Sequence, residues 1–514
     1  MKFKRENRIG ENMKYLLGID LGTTAIKIGL FNQKGGKIAT ATQEYNLLTP
    51  SNFVVEQEVD SYWKAFKKCL AVVLNNAQIN VNDIAALSFS VQGETLIVID
   101  ENGKPLRNAI VWMDNRAQEE SDKLAAHFTN ERIHSVTGQV SMQAMWPAAK
   151  ILWIKNNEPE VFCNVYRFLL LEDYFIYRLI GKFVAEGSLL CSTILWDINT
   201  KKYWPEMLQY LGISEVQLPE IVEPGSSAGT LKQDVAAELG LCTDTLVVVG
   251  ALDQACGAIG VGNVRPGTFS ESTGGALAVV TIVNKPVFDK NSEIPCFYFG
   301  IPNHYMIHAF STGGMAIRWL RDNLCTEEMR VGDLTGINAY ALMDRAAMQI
   351  EPGSEGLIFL PYMQGSGPPD SNQAAKGVIF GLTLRHTKSH IIRALMESIS
   401  VVLFRMIESI RAMGIIISEI RSLSGGAKSP YWCQMKADIT GIPVHTMKNT
   451  EDAACLGAAI LAGVAVGAWS SVSEAADSIV EYDREFLPDT SSKVVYDVLV
   501  TTYKKLFVAL RDVF

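Results

Sequence analysis

Residues 15–32 read YLLGIDLGTTAIKIGLFN, and this stretch indicates the fold class of the chain. YLLGID is a short apolar strand, LGTT is a tight turn, and AIKIGLFN is a second strand. A third strand, KIATATQEY, follows the turn NQKGG. The next segment is an amphipathic helix with large apolar side chains on one face: Trp63, Phe66, Leu70, Val73 and Leu74. Strands and helices keep alternating beyond it, which predicts α/β layers with a mixed sheet.

The same design recurs about half a chain later. The strand DTLVVVG, residues 244–250, runs into Ala251-Leu252-Asp253-Gln254 and a helix of small residues. The strand GTFSE, the turn Ser272-Thr273-Gly274-Gly275 and the strand ALAVVTIV then repeat the arrangement of the N-terminus. We therefore expect two domains of related build, over residues 13–253 and 254–514, each offering one hairpin turn to a shared cleft.

The composition excludes several classes of protein. The chain has 514 residues, of which 48% are hydrophobic, and this is too apolar for a disordered chain. The 46 Lys and Arg against 55 Asp and Glu give a net charge of −9, so we expect neither nucleic acid nor an anionic membrane as a partner. The nine cysteines form no CxxC pair, and the charged start MKFKRENRIGENM is no secretory signal. We expect a soluble, reduced, cytoplasmic protein, with Met13 as a candidate for the functional start.

Residues Ala453 to Ser473 contain no charge and are long enough to span a membrane. They are mostly Ala, Gly and Ser, however, with few large aliphatic residues. We interpret this stretch as a helix that is buried against a close neighbour.

The turn that follows Asp20 has the residue types of a phosphate site. Gly22-Thr23-Thr24 offers backbone N–H groups and hydroxyls to phosphate oxygens, and Lys27 adds a positive charge on the next strand. Asp20 is a candidate ligand for a hydrated Mg²⁺, which prefers one or two carboxylates together with phosphate oxygens. An ordinary hairpin with an aspartate in its turn explains these residues equally well.

Further glycine turns favour nucleotide binding. Phosphate held between two domains needs donors from both, and Ser272-Thr273-Gly274-Gly275 supplies the second set. Gly313-Gly314 and Gly425-Gly426-Ala427 add two more places where backbone approaches a ligand closely.

Asp253 is the candidate catalytic residue. It follows an apolar strand, so its carboxylate is expected at a strand end that faces the cleft. Phosphoryl transfer needs a base that accepts the proton of the attacking hydroxyl. The alternative makes Asp253 the N-cap of the following helix.

Several other features are interpreted as structural. His304/His308 and His386/His390 have i, i+4 spacing, but no Glu of an HExxH motif lies between them. Arg116 is expected to pair with Asp114. A long helix is predicted from about His390 to Met413, ending at Gly414. Another helix is predicted to begin with Ser429 as its N-cap and Pro430 at its first position.

Taken together, the motifs resemble the FGGY family of carbohydrate kinases, within the actin-like ATPase superfamily. The matching segments occur in family order over nearly the whole chain: GIDLGTTAIK, MWPAAKILWIKN with its Pro-x-x-Lys-x-x-Trp core, GALDQACGAIGVG, STGG, GVIFGLTLRHTKSHIIRALMES and SGGAKSPYW. The resemblance implies two RNase-H-like α/β domains with mixed sheets around a central cleft. It also implies transfer of the γ-phosphate of MgATP to a sugar or polyol.

The resemblance also implies roles for individual residues. Asp253 would deprotonate the substrate hydroxyl, and Asp20 would lie at the Mg²⁺ and phosphate site. The sugar would lie against Gly93, Glu94, Trp112, Asp253 and Gln254. The nucleotide and its transferring phosphoryl group would contact a larger set: Thr23, Thr24, Lys27, Thr273, Gly274, Gly314, Gly425, Gly426 and Ala427.

Departures from the family pattern bear on the substrate. Position 93 is Gly where glycerol kinases carry Arg, and Glu94 stands where xylulokinases tend to carry His. Residues Gly365-Ser366-Gly367-Pro368-Pro369 replace the GERTP-like sequence of many pentulose and gluconate kinases, and the second phosphate turn begins with Ser-Thr where the family tends to have Gly-Thr. A xylulose-like ketose is the expected substrate, followed by erythritol, ribulose and gluconate, because Glu94 accepts hydrogen bonds from hydroxyls and repels a sugar acid.

Two functions of other classes stay open on the sequence. An actin-like chaperone or filament ATPase would share the phosphate turns but would not need Asp253-Gln254 or the Gln92-Gly93-Glu94 pocket. A catalytically silent sugar sensor would bind sugar without forming ADP. Family members are often dimers or tetramers, so a homodimer is also expected.

Overall fold

The computed structural model describes residues 14–291, 293–448 and 450–514. Met13, the candidate start, lies outside the described residues. The strands of the first half are β1 (Tyr15–Leu21), β2 (Ala25–Asn32), β3 (Lys37–Glu44), β4 (Leu48–Ser51), β5 (Val54–Gln57), β6 (Ile84–Val91), β7 (Ile97–Ile99), β8 (Ala109–Ile110), β9 (Arg167–Leu169), β10 (Val184–Glu186), β11 (Trp196–Asp197), β12 (Lys202–Tyr203), β13 (Glu220–Val222), β14 (Ser227–Thr230), β15 (Leu246–Val248) and β16 (Ala251–Leu252). The strands of the second half are β17 (Gly267–Thr273), β18 (Ala276–Val283), β19 (Cys296–Tyr298), β20 (Tyr305–Thr312), β21 (Ile358–Leu360), β22 (Val378–Phe380), β23 (Ile417–Leu423), β24 (Val444–Met447) and β25 (Tyr482–Phe486).

The helices alternate with these strands. Those of the first half are α1 (Val59–Ala77), α2 (Gln118–Phe128), α3 (Asn130–Thr137), α4 (Pro147–Asn157), α5 (Pro159–Cys163), α6 (Leu171–Ile180), α7 (Gly187–Leu190), α8 (Pro205–Leu211), α9 (Gln233–Leu239) and α10 (Asp253–Gly260). Those of the second half are α11 (Gly314–Leu324), α12 (Thr326–Thr335), α13 (Ala339–Ala347), α14 (Lys388–Ala412), α15 (Pro430–Thr440), α16 (Ala453–Ala465), α17 (Val472–Ile479) and α18 (Lys493–Leu510).

The N-terminal sheet is mixed. Its strand order is β14-β15-β6-β1-β2-β3, and β16 also pairs with β6. The hairpin β1–β2 and the pair β2–β3 are antiparallel, whereas β1, β15 and β16 each run parallel to β6. A parallel neighbour is possible because the connection from β3 to β6 passes through helix α1.

The C-terminal sheet repeats this plan. Its order is β19-β20-β18-β17-β23-β24-β25. The hairpin β17–β18 takes the place of β1–β2, with β20 antiparallel on its outer side. The strands β23 and β24 run parallel to β17 on the other side, and β25 closes the edge in the antiparallel sense. The expected α/β class with two mixed sheets of related build is confirmed.

Helix α16 joins the two halves. It comes late in the chain but packs against β1, β6 and β2 of the N-terminal sheet and against α10. A Cβ at Gly457 would lie 1.9 Å from the carbonyl oxygen of Cys256, so only glycine permits this close crossing of α16 over α10. The uncharged stretch is therefore a buried helix, as expected. The predicted division between residues 253 and 254 falls at the start of α10 and stays a prediction.

The helix ends and the second glycine turn can also be compared with the predictions from the sequence. The long helix α14 ends before Gly414, which has a φ of 83°, and the hydroxyl of Ser429 caps the first turn of α15. Ser272 and Thr273, which the sequence places in a turn, belong to strand β17, so Gly274 and Gly275 alone form the turn. No helix in the described part of the chain combines the length and apolar character needed to cross a membrane.

Candidate active site

Three parallel strands bring their carboxyl ends to one place. In the register of the sheet, Asp20 of β1 lies beside Ser90 of β6, and Ser90 lies beside Ala251 of β16. The chain beyond β6 carries Gly93 and Glu94, and the chain beyond β16 carries Asp253. Ligands bind at such strand ends in α/β sheets. The sheet thus gathers the candidate metal, sugar and catalytic residues at one edge.

Asp253 is the first residue of helix α10 and directly follows strand β16. Leu252 occupies the N-cap position, so the alternative that makes Asp253 the N-cap is wrong. The Asp253 carboxylate accepts a 2.6 Å hydrogen bond from the backbone N–H of Gln254. Burial raises the pKa of Asp253 to about 7, and the nearby carboxyls of Asp20 and Glu94 add to this rise. A carboxyl poised near neutrality suits a general base.

The backbone before Asp253 is held by buried polar groups. The N–H of Gly250 donates to Oε1 of Glu172 over 2.6 Å, and the N–H of Leu252 donates to the hydroxyl of Ser188 over 2.9 Å. Ser188 in turn donates to Glu186 over 2.6 Å. Burial, together with the neighbouring Glu186, raises the pKa of Glu172 well above its ordinary value. These three residues fix the path of the chain up to Asp253, and no motif in the sequence predicts this role for them.

Three of the sugar-binding candidates, Gly93, Glu94 and Trp112, are called the sugar wall, and Glu94 lies near enough to Asp253 for its charge to raise the pKa of Asp253. A Cβ at Gly93 would meet Leu252 at 3.2 Å and the Ser192 hydroxyl at 3.3 Å, so the packing favours glycine at this position. Glu94 is partly exposed, and burial raises its pKa although hydrogen bonding to Ser192 and the charge of Lys150 oppose the shift. Trp112 lies half-buried after β8 and donates from its indole N–H to the Thr23 hydroxyl over 2.8 Å.

The first phosphate turn connects β1 with β2. Ser90 donates a 2.8 Å hydrogen bond to Asp20, and burial raises the pKa of Asp20 although Ser90 and Lys27 oppose the shift. Thr24 is exposed at the tip of the turn. The ammonium of Lys27 forms a 2.9 Å ion pair with Asp452 and donates to the carbonyl of Glu451, both on the approach to α16. Lys27 therefore connects the first turn to the C-terminal half of the chain.

A cavity of about 460 Å³ lies behind the second phosphate turn. Five predicted nucleotide residues line it: Thr273, Gly274, Gly314, Gly425 and Gly426. Ala427 is absent from this lining, which Lys428 and Ser429 join. The remaining wall comes from α11, α13, α14, α15 and the residue before α13, at positions that no sequence motif predicts: Ile317, Asn338, Tyr340, Ala341, Met343, Asp344, Met396 and Trp432.

A buried ion pair supports the second turn from below. Lys436 lies 2.5 Å from Glu271, and both side chains are almost completely buried. The Thr273 hydroxyl donates to Glu271 over 2.7 Å and accepts from Lys436 over 3.2 Å. Because this hydroxyl is occupied inside the network, Thr273 and Gly274 have their backbone groups to offer to a ligand at this turn.

The carboxylates at the strand ends fit a hydrated magnesium ion. Asp20 and Asp253 lie close enough for the charge of one to raise the pKa of the other, an arrangement that a divalent cation would relieve. In the described residues no group of three or more His, Cys, Asp or Glu is arranged to hold a metal. Mg²⁺ usually takes one or two carboxylates, with water and phosphate oxygens completing its shell. The donor set present therefore matches Mg²⁺ bound together with a nucleotide.

Comparison with known families identifies the chain. The model of the N-terminal domain of the FGGY family of carbohydrate kinases matches residues 15–260, and that of the C-terminal domain matches residues 279–466. The chain belongs to the FGGY family. This FGGY protein is accordingly an ATP-dependent carbohydrate kinase with two actin-like ATPase domains, and the resemblance read from the motifs is confirmed.

The full-length relatives of this FGGY kinase are named for two different substrates, xylulose and gluconate. The chain is 30% identical to the xylulose kinase of Bacillus subtilis over 97% of its own length and 98% of the relative. It is also 30% identical to the gluconokinase of Bacillus licheniformis, over 97% and 96%. The crystal structure of a ligand-bound xylulose kinase from Lactobacillus acidophilus superposes with a TM-score of 0.89 at 28% identity, covering 97% of this chain and 98% of that one.

The two histidine pairs and Arg116 have structural partners, as the sequence predicted. Nδ1 of His304 lies 3.0 Å from the carbonyl oxygen of Pro302, and Nδ1 of His308 lies 3.0 Å from that of Val279. Nδ1 of His390 accepts from the backbone N–H of Thr387 and so caps α14, and His386 accepts from Thr383 in the same way. Arg116 forms a 2.7 Å ion pair with Asp114. These residues have structural roles, and the candidate catalytic and metal-binding residues lie at the strand ends.

Proposed function

We propose that this FGGY kinase transfers the γ-phosphate of ATP to a terminal hydroxyl of a neutral ketose or polyol, with a ketopentose such as xylulose as the first candidate. Erythritol, ribulose and gluconate are the alternatives. The observation that carries the proposal is the position of Asp253, which stands at a strand end beside Glu94 and Asp20 with a pKa raised to about 7.

Asp253 is the proposed general base. In its deprotonated form it accepts the proton of the attacking sugar hydroxyl while that oxygen bonds to the γ-phosphorus and the bond to the ADP oxygen breaks. Glu172 and Ser188 hold the backbone at Gly250 and Leu252. The Asp253 carboxylate is therefore held at a fixed position relative to the proposed sugar hydroxyl. Gln254, on the same turn of α10, is proposed to contact the sugar.

Asp20 is the proposed protein ligand of Mg²⁺, with Asp253 close by. When bound with the nucleotide, this ion supplies positive charge to the phosphate oxygens. Thr23 and Thr24 are proposed to face one side of the transferring group. The backbone at Thr273 and Gly274 is proposed to face the other side. Lys27 is proposed to add positive charge near this group while its ion pair with Asp452 bridges the two halves.

The nucleotide is proposed to occupy the cavity of about 460 Å³ behind the second turn. Gly314 supports this assignment, because a Cβ there would lie 2.0 Å from the carbonyl oxygen of Gly274. The backbones of the turn and of α11 therefore meet directly, as phosphate-binding glycine sites require. Gly425 and Gly426 are proposed to contact ADP, and Ala427 to act through the backbone of the same turn.

The charges around the sugar subsite favour a neutral substrate. Burial raises the pKa of Asp20, Glu94 and Asp253, which reflects how poorly these surroundings tolerate negative charge. The nearby amine of Lys150 is fully buried and bound to carbonyl groups. A sugar acid would bring a further negative charge to these carboxyls, whereas hydroxyls can donate to them. This supports xylulose over gluconate.

We also propose that the enzyme works in the cytoplasm. All nine cysteines lie within the described residues and are free thiols, which is typical of a reducing compartment. Assembly as a homodimer stays a prediction, and light scattering on the purified protein would test it.

A coupled assay of ADP formation over xylulose, ribulose, erythritol, glycerol and gluconate tests the substrate. We expect xylulose to give the highest kcat/KM and Asp253→Asn to lower kcat by about a hundredfold or more. Turnover of gluconate alone would contradict the preference for a neutral substrate. ATP hydrolysis that is independent of every sugar would contradict the sugar kinase activity, and full activity of Asp253→Asn would contradict the role of the base.

A further inference from the structure

The turn that carries Glu94 is strained. The backbone N–H of Thr95 donates to the carbonyl of Gly93 over 2.7 Å, which closes a three-residue turn with Glu94 at its centre. Glu94 has a φ of 58°, in the left-handed region that residues other than glycine seldom adopt. Such a conformation persists only where neighbouring groups hold it.

Lys150 is the group that holds this turn. Its side chain is completely buried on α4, and its Nζ donates to the carbonyl of Glu94 over 2.9 Å. The same nitrogen donates to the carbonyl of Val111 over 3.0 Å. Val111 directly precedes Trp112, so one amine joins the two segments that carry Glu94 and Trp112.

This contact does not depend on the charge of the amine. Burial lowers the pKa of Lys150, while the charges of Glu94 and Asp114 oppose the shift and Arg116 adds to it. A neutral amine keeps two N–H groups and an ammonium has three, so either form can serve both carbonyls.

A second contact, made by Trp153, attaches helix α4 to the segment that carries Trp112. Trp153, one turn further along, packs its ring against the guanidinium of Arg116 at 4.9 Å. Arg116 is paired with Asp114, and Asp114 accepts a 2.7 Å hydrogen bond from the backbone of Val55. The segment from Val111 to Arg116 is thus attached to the same helix at two points.

We infer that Lys150 is a positioning residue for the sugar subsite: it holds the strained Glu94 turn and the Trp112 segment at a fixed separation. The inference rests on the proposed function, and it gives a role to the lysine of the Pro-x-x-Lys-x-x-Trp segment. Loss of the contact should loosen sugar binding and leave the nucleotide cavity unchanged, because Glu94 and Val111, which accept the hydrogen bonds of Lys150, do not line that cavity.

The test compares Lys150→Met with Lys155→Met. Lys155 lies on the same helix and also donates to a backbone carbonyl, that of Leu211 over 2.8 Å, and its ammonium lies over the ring of Phe162; neither partner belongs to the sugar wall. We expect Lys150→Met to raise the KM for the sugar about tenfold, which corresponds to about 1.4 kcal/mol. The KM for ATP should stay within about twofold in both variants, and the sugar KM of Lys155→Met should stay close to wild type.

A second readout is the ratio of ADP formed to sugar phosphorylated. We expect it to rise in Lys150→Met, because a poorly held hydroxyl allows water to compete, and a loss of stability alone would not change it. If Lys150→Met does not accumulate as folded protein, Lys150→Arg serves instead, since the guanidinium is planar and longer than the amine and cannot place its N–H groups at the position of Nζ.

Suppose that the wild type is active and that Lys150→Met has an unchanged KM for the sugar and an unchanged ratio of ADP to sugar phosphate. This result would overturn the role of Lys150 but not the proposed function. A wild-type enzyme that forms no sugar phosphate would overturn the proposed function, and this inference with it.

Discussion

The indole N–H of Trp112 donates a hydrogen bond to the hydroxyl of Thr23 over 2.8 Å. Trp112 belongs to the proposed sugar wall, and Thr23 to the turn proposed to face the transferring phosphoryl group. The contact therefore joins the two subsites before either ligand arrives. Such pre-organisation lowers the cost of bringing the hydroxyl and the phosphorus together.

The contact between Trp112 and Thr23 should appear as an energetic coupling. Trp112→Phe removes the donor and Thr23→Val removes the acceptor, and each change is expected to lower kcat/KM for the sugar by about three- to tenfold. In the double variant we expect less than the product of the two losses, with a coupling of about 1 kcal/mol. Strictly additive losses in the steady-state kinetics would show that the hydrogen bond does not contribute.

Asp20→Ala should strongly weaken Mg²⁺-dependent turnover. The carboxylate of Asp20 is the proposed protein ligand of the ion, and its loss leaves water and phosphate to hold it. We expect the Mg²⁺ concentration for half-maximal rate to rise about tenfold or more. Ser90→Ala, which removes only the hydrogen bond to Asp20, should have a smaller effect. A Mg²⁺ titration that superposes on that of the wild type would refute the role of Asp20.

Asp253 should reduce the stability of the protein at alkaline pH when metal and nucleotide are absent. Burial raises its pKa from 3.8 to about 7, so between these values the folded state binds a proton that the unfolded state releases. The free energy of unfolding contributed by this group therefore falls as pH rises through that window, and it is lowest above pH 7.

Asp253→Asn removes this titration. In buffer with a chelator we expect the variant to be more stable than the wild type at pH 8 by at least about 1 kcal/mol, and the difference to shrink toward pH 4. Thermal unfolding followed by circular dichroism measures it. A wild type that is more stable than the variant at pH 8 would contradict the buried, raised pKa.

Gly314→Ala should impair nucleotide binding selectively. A Cβ at this position would lie 2.0 Å from the carbonyl oxygen of Gly274, so the second phosphate turn must move. We expect the KM for ATP to rise about tenfold or more and the sugar KM to change by less than about threefold.

Gly257→Ala is the matched control, because a Cβ there meets nothing within 4 Å. An alanine in the helix interior should stabilise α10 slightly, by about 0.5–1 kcal/mol. Equal changes in the KM for ATP in the two variants would contradict the close approach of backbone at Gly314.

Much of the fold was predictable because it depends on local patterns. The alternation around GIDLGTT predicts β1 and β2, and its repetition near residue 270 predicts the second sheet. The end of α14 follows from Gly414, and the start of α15 follows from Ser429 and Pro430. In each case a short run of residues fixes dihedral angles or hydrophobic periodicity without help from distant parts of the chain.

Contacts between distant segments were not predictable in the same way. The ion pair between Lys27 and Asp452 spans 425 positions of sequence, and a lysine two residues into a strand carries no signal of its partner. Glu172 and Glu271 look like ordinary acidic residues, and only their burial distinguishes them. Lys150 was visible as part of a motif, but its function as a support for Glu94 required the positions of two carbonyl groups.

The amino-acid sequence by itself determined the α/β class, the duplicated strand–turn–strand units and the identity of Asp20, Asp253 and the glycine turns as candidates. It could do so because backbone conformation and chemical type are local properties of the residues. Only the tertiary structure decided that Asp20, Glu94 and Asp253 meet at one sheet edge. It also decided that the Thr273 hydroxyl is hydrogen-bonded to the buried ion pair of Glu271 and Lys436. Those facts depend on burial and on distances between remote segments, which arise when the sheets and helices pack together.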